Sequence, residues 1–406
     1  MDLRKRLADL DRLTRRPDKP QTPPQTVRQA PEGMPATAEM LTRMGLRPLD
    51  QSSLDPTLSS PWILEGREDL SPPVAPLPDL AGFFTRAQEA DPAGEDILFL
   101  DTETTGLMGG TGTLAFLVGV GWWERGAFQW RQYLLPDFVA EAAMLEDLTG
   151  LAAGFQVVAT FNGASFDLPL LRTRALMNRL PDPCARLVGW DLLVPGRRLW
   201  GLRLPDCRQQ TLERHLLDWK RTAKDIDGSL IPQVWFDFLK EGRSDMMARV
   251  LHHNQRDLVG MAGIFRQVAR RAELLESEPA PGHWRDAWAL GRIAERRRSA
   301  AAAERWILAA TEGSCAAPEA ALREARFVAD AVRILKRGAH WERVRRLLGG
   351  CLRAGLREPW VHREAAILYE HRLGRLQDAL EHARLCGEAD RIARLEKKQA
   401  RIQGRI

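Results

Sequence analysis

Three short clusters in this 406-residue chain place acids at spacings that could support chemistry. The first is Asp101-Thr102-Glu103, which closes the apolar run Ile97-Leu98-Phe99-Leu100. Alternate residues of a strand share a face, so both carboxylates can aim to one side where the pleat breaks at Thr104-Thr105-Gly106. The second runs from Phe161 through Asn162, Gly163, Ala164, Ser165 and Phe166 to Asp167, a strand end, a small-residue turn and an acid opening a helix. Asp at such a place also satisfies orphan helix amides, so capping is its plain explanation. The third is His252-His253-Asn254-Gln255-Arg256-Asp257, in or just before a helix, where His253 and Asp257 share a face at i and i+4.

Taken singly, these read as solvated loop acids, a helix cap and a core or surface histidine. Together they point to one chemistry. Hydrolysis of a phosphodiester by two hard divalent ions needs carboxylate oxygens converging from separate segments. Asp101, Glu103, Asp167 and Asp257 are four such acids, accompanied by a histidine that can take a proton from the attacking water. Carboxylates this close repel by about 1 kcal/mol per pair in water and about 4 kcal/mol at an effective dielectric near 20. The cluster therefore requires bound cations, and a metal-free site is expected to be loose.

The elements that must position these acids follow from hydrophobic period. The apolar run 97–100 suits a strand buried on both faces, and 113–123 and 126–135 read as two more, joined by a hairpin at Glu124-Arg125-Gly126. Helical spacing returns over 137–152, a strand over 155–161 and a helix over 168–180 with Pro169 in its first turn. The order is βββαβα. Segments 209–217, 232–241, 243–252 and 254–277 favour helix, and everything beyond reads as helical.

At this point a resemblance is plain. FLDTETTG at 99–106, FNGASFD at 161–167 and HNQRD at 253–257 resemble the three motifs of the DEDD superfamily of 3′-to-5′ exonucleases. Within it, TTGLMGGTGTLAFLVGVG, WDLLVPGRRLW and RLPDCRQQTLERHLL resemble the YprB-type ribonuclease-H-like domain over roughly residues 92–275. The resemblance implies an α/β fold with a ribonuclease-H-like mixed sheet and flanking helices. It implies that Asp101, Glu103, Asp167 and Asp257 hold two Mg²⁺ or Mn²⁺ ions while a histidine acts as general base. It further implies that Thr104, Gly106, Leu107, Asn162 and Phe166 seat the terminal nucleotide of DNA or RNA; turn formation and packing are the rival roles. Both His252 and His253 have a precedent spacing before the last acid; His253 is favoured by the HN-x-x-D wording and its shared face with Asp257. Asp191 is a further acid, read as a helix cap that could also support the site.

Residues 1–36, rich in Pro, Gln and Thr beyond a short amphipathic start, are expected to be a disordered or linker segment, and 37–91 an irregular lead-in. The catalytic unit is then 92–277, followed by an all-α module at 284–406. That module carries 26 Lys+Arg against 16 Asp+Glu over residues 281–406, a net +10, while the rest of the chain nets −5. Segments 331–351 and 364–385 look alike, each an apolar helix, a turn at Gly338 or Gly374 and a second amphipathic helix. Their wording is TPR-like, which implies a protein partner, and the basic surface could also track phosphates. No apolar run of roughly 18 residues is present to cross a bilayer, and no secretory signal opens the chain, so a cytoplasmic protein is expected. Five scattered cysteines without a CxxC pair read as reduced thiols. The rival to an enzyme is a catalytically weak nucleic-acid-binding or scaffold protein acting through its basic repeats.

Overall fold

The computed structural model describes residues 37–50, 60–73, 75–85, 89–106, 112–221, 225–280 and 282–404. The expected N-terminal linker, 1–36, and Leu107 lie outside them.

A seven-stranded mixed sheet lies in the first part of the chain. Its strands are β1 (Arg47–Pro48), β2 (Trp62–Glu68), β3 (Ile97–Thr104), β4 (Ala115–Glu124), β5 (Ala127–Leu134), β6 (Val157–Thr160) and β7 (Val188–Asp191), in the spatial order β1-β2-β5-β4-β3-β6-β7. The first five positions are antiparallel, whereas β3, β6 and β7 run parallel. Arg125 and Gly126, at φ 51° and 79°, supply the left-handed pair that closes the β4–β5 hairpin. The βββαβα core is therefore as the period indicated, with α2 (Glu141–Ala152) after β5 and α3 (Asp167–Met177) after β6.

Two expectations need correction. The lead-in is not irregular throughout: after α1 (Ala38–Arg43), Trp62-Ile63-Leu64 starts a strand that pairs along the whole outer edge of β5. Its apolar residues alternate with Glu65 and Arg67 once the sheet edge turns to solvent, a pattern too short to stand out beside the nearby prolines. The helices expected at 243–252 and 254–277 are one, α7 (Ser244–Leu275), because Asn254 at the supposed break is wholly buried and hydrogen-bonded. Before it come α4 (Leu193–Trp200), α5 (Gln209–Leu216) and α6 (Ile231–Glu241).

Beyond α7, successive helices pair through short turns: α8 (Trp284–Arg296) with α9 (Ala300–Thr311), α10 (Ala325–Arg337) with α11 (Trp341–Arg353), and α12 (Pro359–His371) with α13 (Leu376–Cys386), before α14 (Ala389–Gln403). The last two hairpins turn at Gly338 and Gly374 as the repeated segments indicate; the first was not separated out in the sequence. Arginines on these helices are widely ion-paired, with Glu295 taking Arg333 and Arg337, and Glu370 taking Arg391 and Arg394. One apolar cluster runs unbroken from Phe99 and Phe265 through Trp288 and Trp306 to Val361, so the sheet and the hairpins share a core. Six tryptophans, among them Trp123, Trp190 and Trp288, are essentially inaccessible and act as core anchors. All five cysteines are free thiols, and no described helix is long and apolar enough to cross a membrane.

Candidate active site

The odd residues of β3 form one row. Ile97 and Phe99 enter the core beneath α7, where Phe99 meets Phe265 edge-on at 5.9 Å between ring centres. Asp101 and Glu103 continue the same row past the end of that core, toward the turns of α7 that carry His253, Asn254 and Asp257. The pairing with β4 slips between Glu103 and Thr104, which ends the regular ladder just beyond the acids.

Asn254 holds Asp101 in place. Its Nδ2 donates to Asp101 Oδ2 at 2.7 Å, while its Oδ1 accepts from Gln132 Nε2 at 2.8 Å. Gln132 also donates to the carbonyl of Leu251 at 2.7 Å, so a buried relay from β5 fixes the amide's orientation. This relay requires Gly119: a Cβ there would stand 2.1 Å from Asn254 Oδ1.

His253 is buried, with its ring between two groups of acids. Nδ1 lies 2.6 Å from Asp225 Oδ1, so the Nδ1 proton is donated to that carboxylate. On its other side Nε2 faces Asp257 Oδ2 at 3.4 Å and Glu103 Oε1 at 3.9 Å. His252 is exposed on the other side of the helix, and no described contact ties it to the acids. Arg221 completes the group. Its guanidinium ion-pairs with Asp257, reaches Asp225 at 3.2 Å and Glu213 at 3.2 Å, and lies 3.3 Å from His253 Nδ1.

Asp167 approaches from the opposite side of β3. Its Oδ1 accepts from the Thr102 hydroxyl at 2.5 Å and the Thr102 amide at 3.2 Å. Gly163 is packed so tightly that a Cβ would lie 2.7 Å from Asp167 Oδ2 and 2.6 Å from Thr160 Cβ. Asn162 sits at φ 65°, and its amide donates to Asp191 Oδ1 at 2.8 Å; the same oxygen accepts from Leu193 N at 2.9 Å. Asp191 is not the N-cap of α4, a position held by Leu192, but one of its oxygens ties the turn before Asp167 to the first amide of that helix. A cleft of about 440 Å³ beside Asp101 and Asp167 is lined by Thr104, Gly106, Asn162 and the exposed ring of Phe166. Four of the five residues expected to seat a nucleotide thus meet in one space.

The electrostatics match a crowded anionic nest. Burial, followed by repulsion from Asp257, Glu103 and Asp167, pushes the Asp101 carboxyl well above the usual range. Glu103 is pushed up by burial and by Asp257 and Asp167. Burial raises Asp167 as well, against the opposing bonds from Thr102. Asp225 goes the other way: burial opposes its charge, but the bond to His253 and the nearby guanidinium of Arg221 hold it below the usual range.

The donor set fits two hard divalent ions in type, all carboxylate oxygen, and in charge. It is not assembled as a ready coordination shell: among the described residues no three His, Cys, Asp or Glu side chains gather tightly enough to grip one ion. Arg221 accounts for part of this, since it already neutralises Asp257. Arg221, Asp225, Glu213, Asn254, Gln132 and Gly119 went unrecognised in the sequence. Asn254 lies inside the HN-x-x-D wording and could have been found there, whereas the others meet the site only through the fold.

The chain is 31% identical over 199 residues to the uncharacterized protein YprB of Bacillus subtilis (strain 168), an alignment covering 48% of this chain and 47% of that protein. The chain thus spans about half the length of the curated relative it matches. Residues 98–269, from β3 into α7, match the model of the RNase_H superfamily, and the chain carries an RNase_H superfamily domain there.

Proposed function

We propose that this chain is a metal-dependent nuclease that hydrolyses phosphodiester bonds of DNA or RNA, as a 3′-to-5′ exonuclease with a two-metal mechanism. The observation that carries this reading is the closeness of Asp101, Glu103, Asp167 and Asp257 to one another, with a histidine whose Nε2 faces two of them. Asp101, Glu103, Asp167 and Asp257 would hold the Mg²⁺ or Mn²⁺ ions. When bound, such ions make water acidic enough to attack near neutral pH and steady charge on the leaving oxygen. The chain's own residues do the rest. His253 receives the water's proton at Nε2, and Asp225 fixes the tautomer by accepting from Nδ1. Thr104, Gly106, Asn162 and Phe166 seat the terminal nucleotide beside Asp101 and Asp167. The 3′-to-5′ direction rests on the motif resemblance. The helices of 284–406 form a TPR-like module that docks a protein partner.

The test is degradation of end-labelled single and double strands with Mn²⁺ or Mg²⁺ by the wild-type protein and Asp101→Ala. A ladder shortening from the 3′ end, lost in the variant, is expected; equal degradation by both overturns the proposal. One observation favours the rival reading of a nucleic-acid-binding scaffold with little turnover, namely that Arg221 already neutralises Asp257. Melting with and without Mn²⁺ separates the two, since a site that takes metal is stabilised by mass action.

A further inference from the structure

Apart from the Phe166 cleft there is a second concavity, of about 380 Å³, lined by Gln210, Arg214, Trp219, Lys220 and Arg221. It adjoins the acids directly. Arg221 forms its inner wall and ion-pairs with Asp257, while Gln209, next to Gln210, donates to the Asp257 carbonyl at 2.8 Å. Arg256, the residue before Asp257, lays its guanidinium over the Trp219 ring at 4.5 Å, which fixes that half-buried ring in orientation.

The charges here differ from those of the C-terminal helices. Arg214 and Lys220 are exposed, and neither they nor Arg256 has a described carboxylate within ion-pairing distance, although most cations near the site are paired. Unpaired cations grouped around an oriented aromatic ring make a surface suited to a phosphate backbone whose bases can stack. A paired duplex keeps its bases within the stack and cannot lay one on Trp219 without unpairing.

We propose that this groove is a binding subsite for single-stranded nucleic acid, which lies on Trp219 with its phosphates near Arg214, Lys220 and Arg256 before crossing the acids into the Phe166 cleft. The two spaces are each of a size that takes a small ligand, and both adjoin the acid cluster, one through Arg221 beside Asp257 and the other through Asp101 and Asp167. This inference rests on the nuclease reading and adds to it the strandedness of the substrate and its path.

The experiment measures binding of a fluorescent oligothymidylate 12-mer and a duplex of equal length by anisotropy across a salt series. The full chain is used, with Ca²⁺ replacing Mn²⁺ to hold back turnover. Wild type is expected to prefer the single strand. Arg214→Gln with Lys220→Gln removes two phosphate contacts, so the slope of log affinity against log salt falls in magnitude by about 1.4. Trp219→Ala weakens single-strand binding roughly tenfold, and Trp219→Phe restores most of it, which a merely structural role for the indole would not produce. If wild type binds the strand and the variants match it in affinity and slope, the groove assignment fails while the nuclease reading stands. Equal wild-type affinity for duplex and single strand overturns the strandedness. If wild type binds neither, the groove and the nuclease reading fall together.

Discussion

Removing one charge from the acid cluster should make the metal-free protein more stable, the reverse of what loss of a buried side chain usually does. Asp101 and Glu103 are held above their ordinary values of 3.8 and 4.5 by burial and by the acids around them, Asp257 foremost. A group whose folded pKa is raised contributes stability below its unfolded pKa and loses it as pH rises through the folded value. The metal-free protein therefore loses stability from these groups across the window that begins near pH 4 and ends at their raised values. Asp101→Asn deletes that loss while keeping an oxygen for the bond from Asn254 Nδ2. Each close carboxylate pair costs about 1 to 4 kcal/mol depending on the local dielectric, and Asp101 opens on the solvent-filled cleft, so a net gain of about 2 kcal/mol is reasonable. For a cooperative unit the size of the whole chain that is a rise in Tm of about 2–3 °C in EDTA at pH 7.5, shrinking at pH 4. Mn²⁺ should reverse the order, since wild type at a hundredfold excess over Kd gains about 2.7 kcal/mol and the variant gains little. Differential scanning fluorimetry reads both quantities. A variant that melts below wild type in EDTA, or that Mn²⁺ stabilises as strongly as wild type, would refute the reasoning.

Three further substitutions probe the groups around the acids. Arg221→Gln frees Asp257 from its guanidinium partner and should tighten Mn²⁺ binding by calorimetry while lowering metal-free stability, because Glu213 and Asp225 lose their counter-charge. Asp225→Ala removes the acceptor that fixes the His253 tautomer; we expect at least a tenfold loss of kcat with little change in KM for a labelled oligonucleotide. Gly119→Ala drives a methyl into Asn254, so the protein should lose about 1–3 kcal/mol in urea denaturation, and nuclease activity should fall with it as Asp101 loses its tether.

Legibility differed by the range over which each signal acts. The acids of β3 could be read because an apolar run and a two-residue period act locally, and Asp167 because a strand, a small-residue turn and a helix start are contiguous. His253 could be preferred to His252 because one helical turn fixes which ring shares a face with Asp257. Gly119 and Gln132 carry no such signal: one is a glycine in a glycine-rich strand and the other a polar residue at an ordinary position, and they gain meaning only when α7 lies across β4 and β5. Arg221 and Asp225 are likewise unremarkable in a charged loop. Trp62–Glu68 was missed as a strand because its partner, β5, lies more than sixty residues onward and supplies the order that the segment does not generate alone. Leu107, the remaining residue of the expected nucleotide seat, belongs to a stretch outside the described residues.

Helix α7 has 32 residues and extends about 48 Å. Its early turns carry His253, Asn254 and Asp257, while the carbonyl of Leu275, at its last residue, accepts from the Trp306 indole at 2.8 Å. One rod thus ends in the chemistry at one side and in the hairpin stack at the other, with apolar packing continuous along it. The halves cannot be severed cleanly between 277 and 284, because scission there would open their shared apolar cluster to water and part Arg305 and Trp306 from the Leu275 carbonyl. Heat should accordingly unfold catalytic sheet and hairpins in a single cooperative step, and whatever presses on the hairpins has a stiff lever into the acid nest.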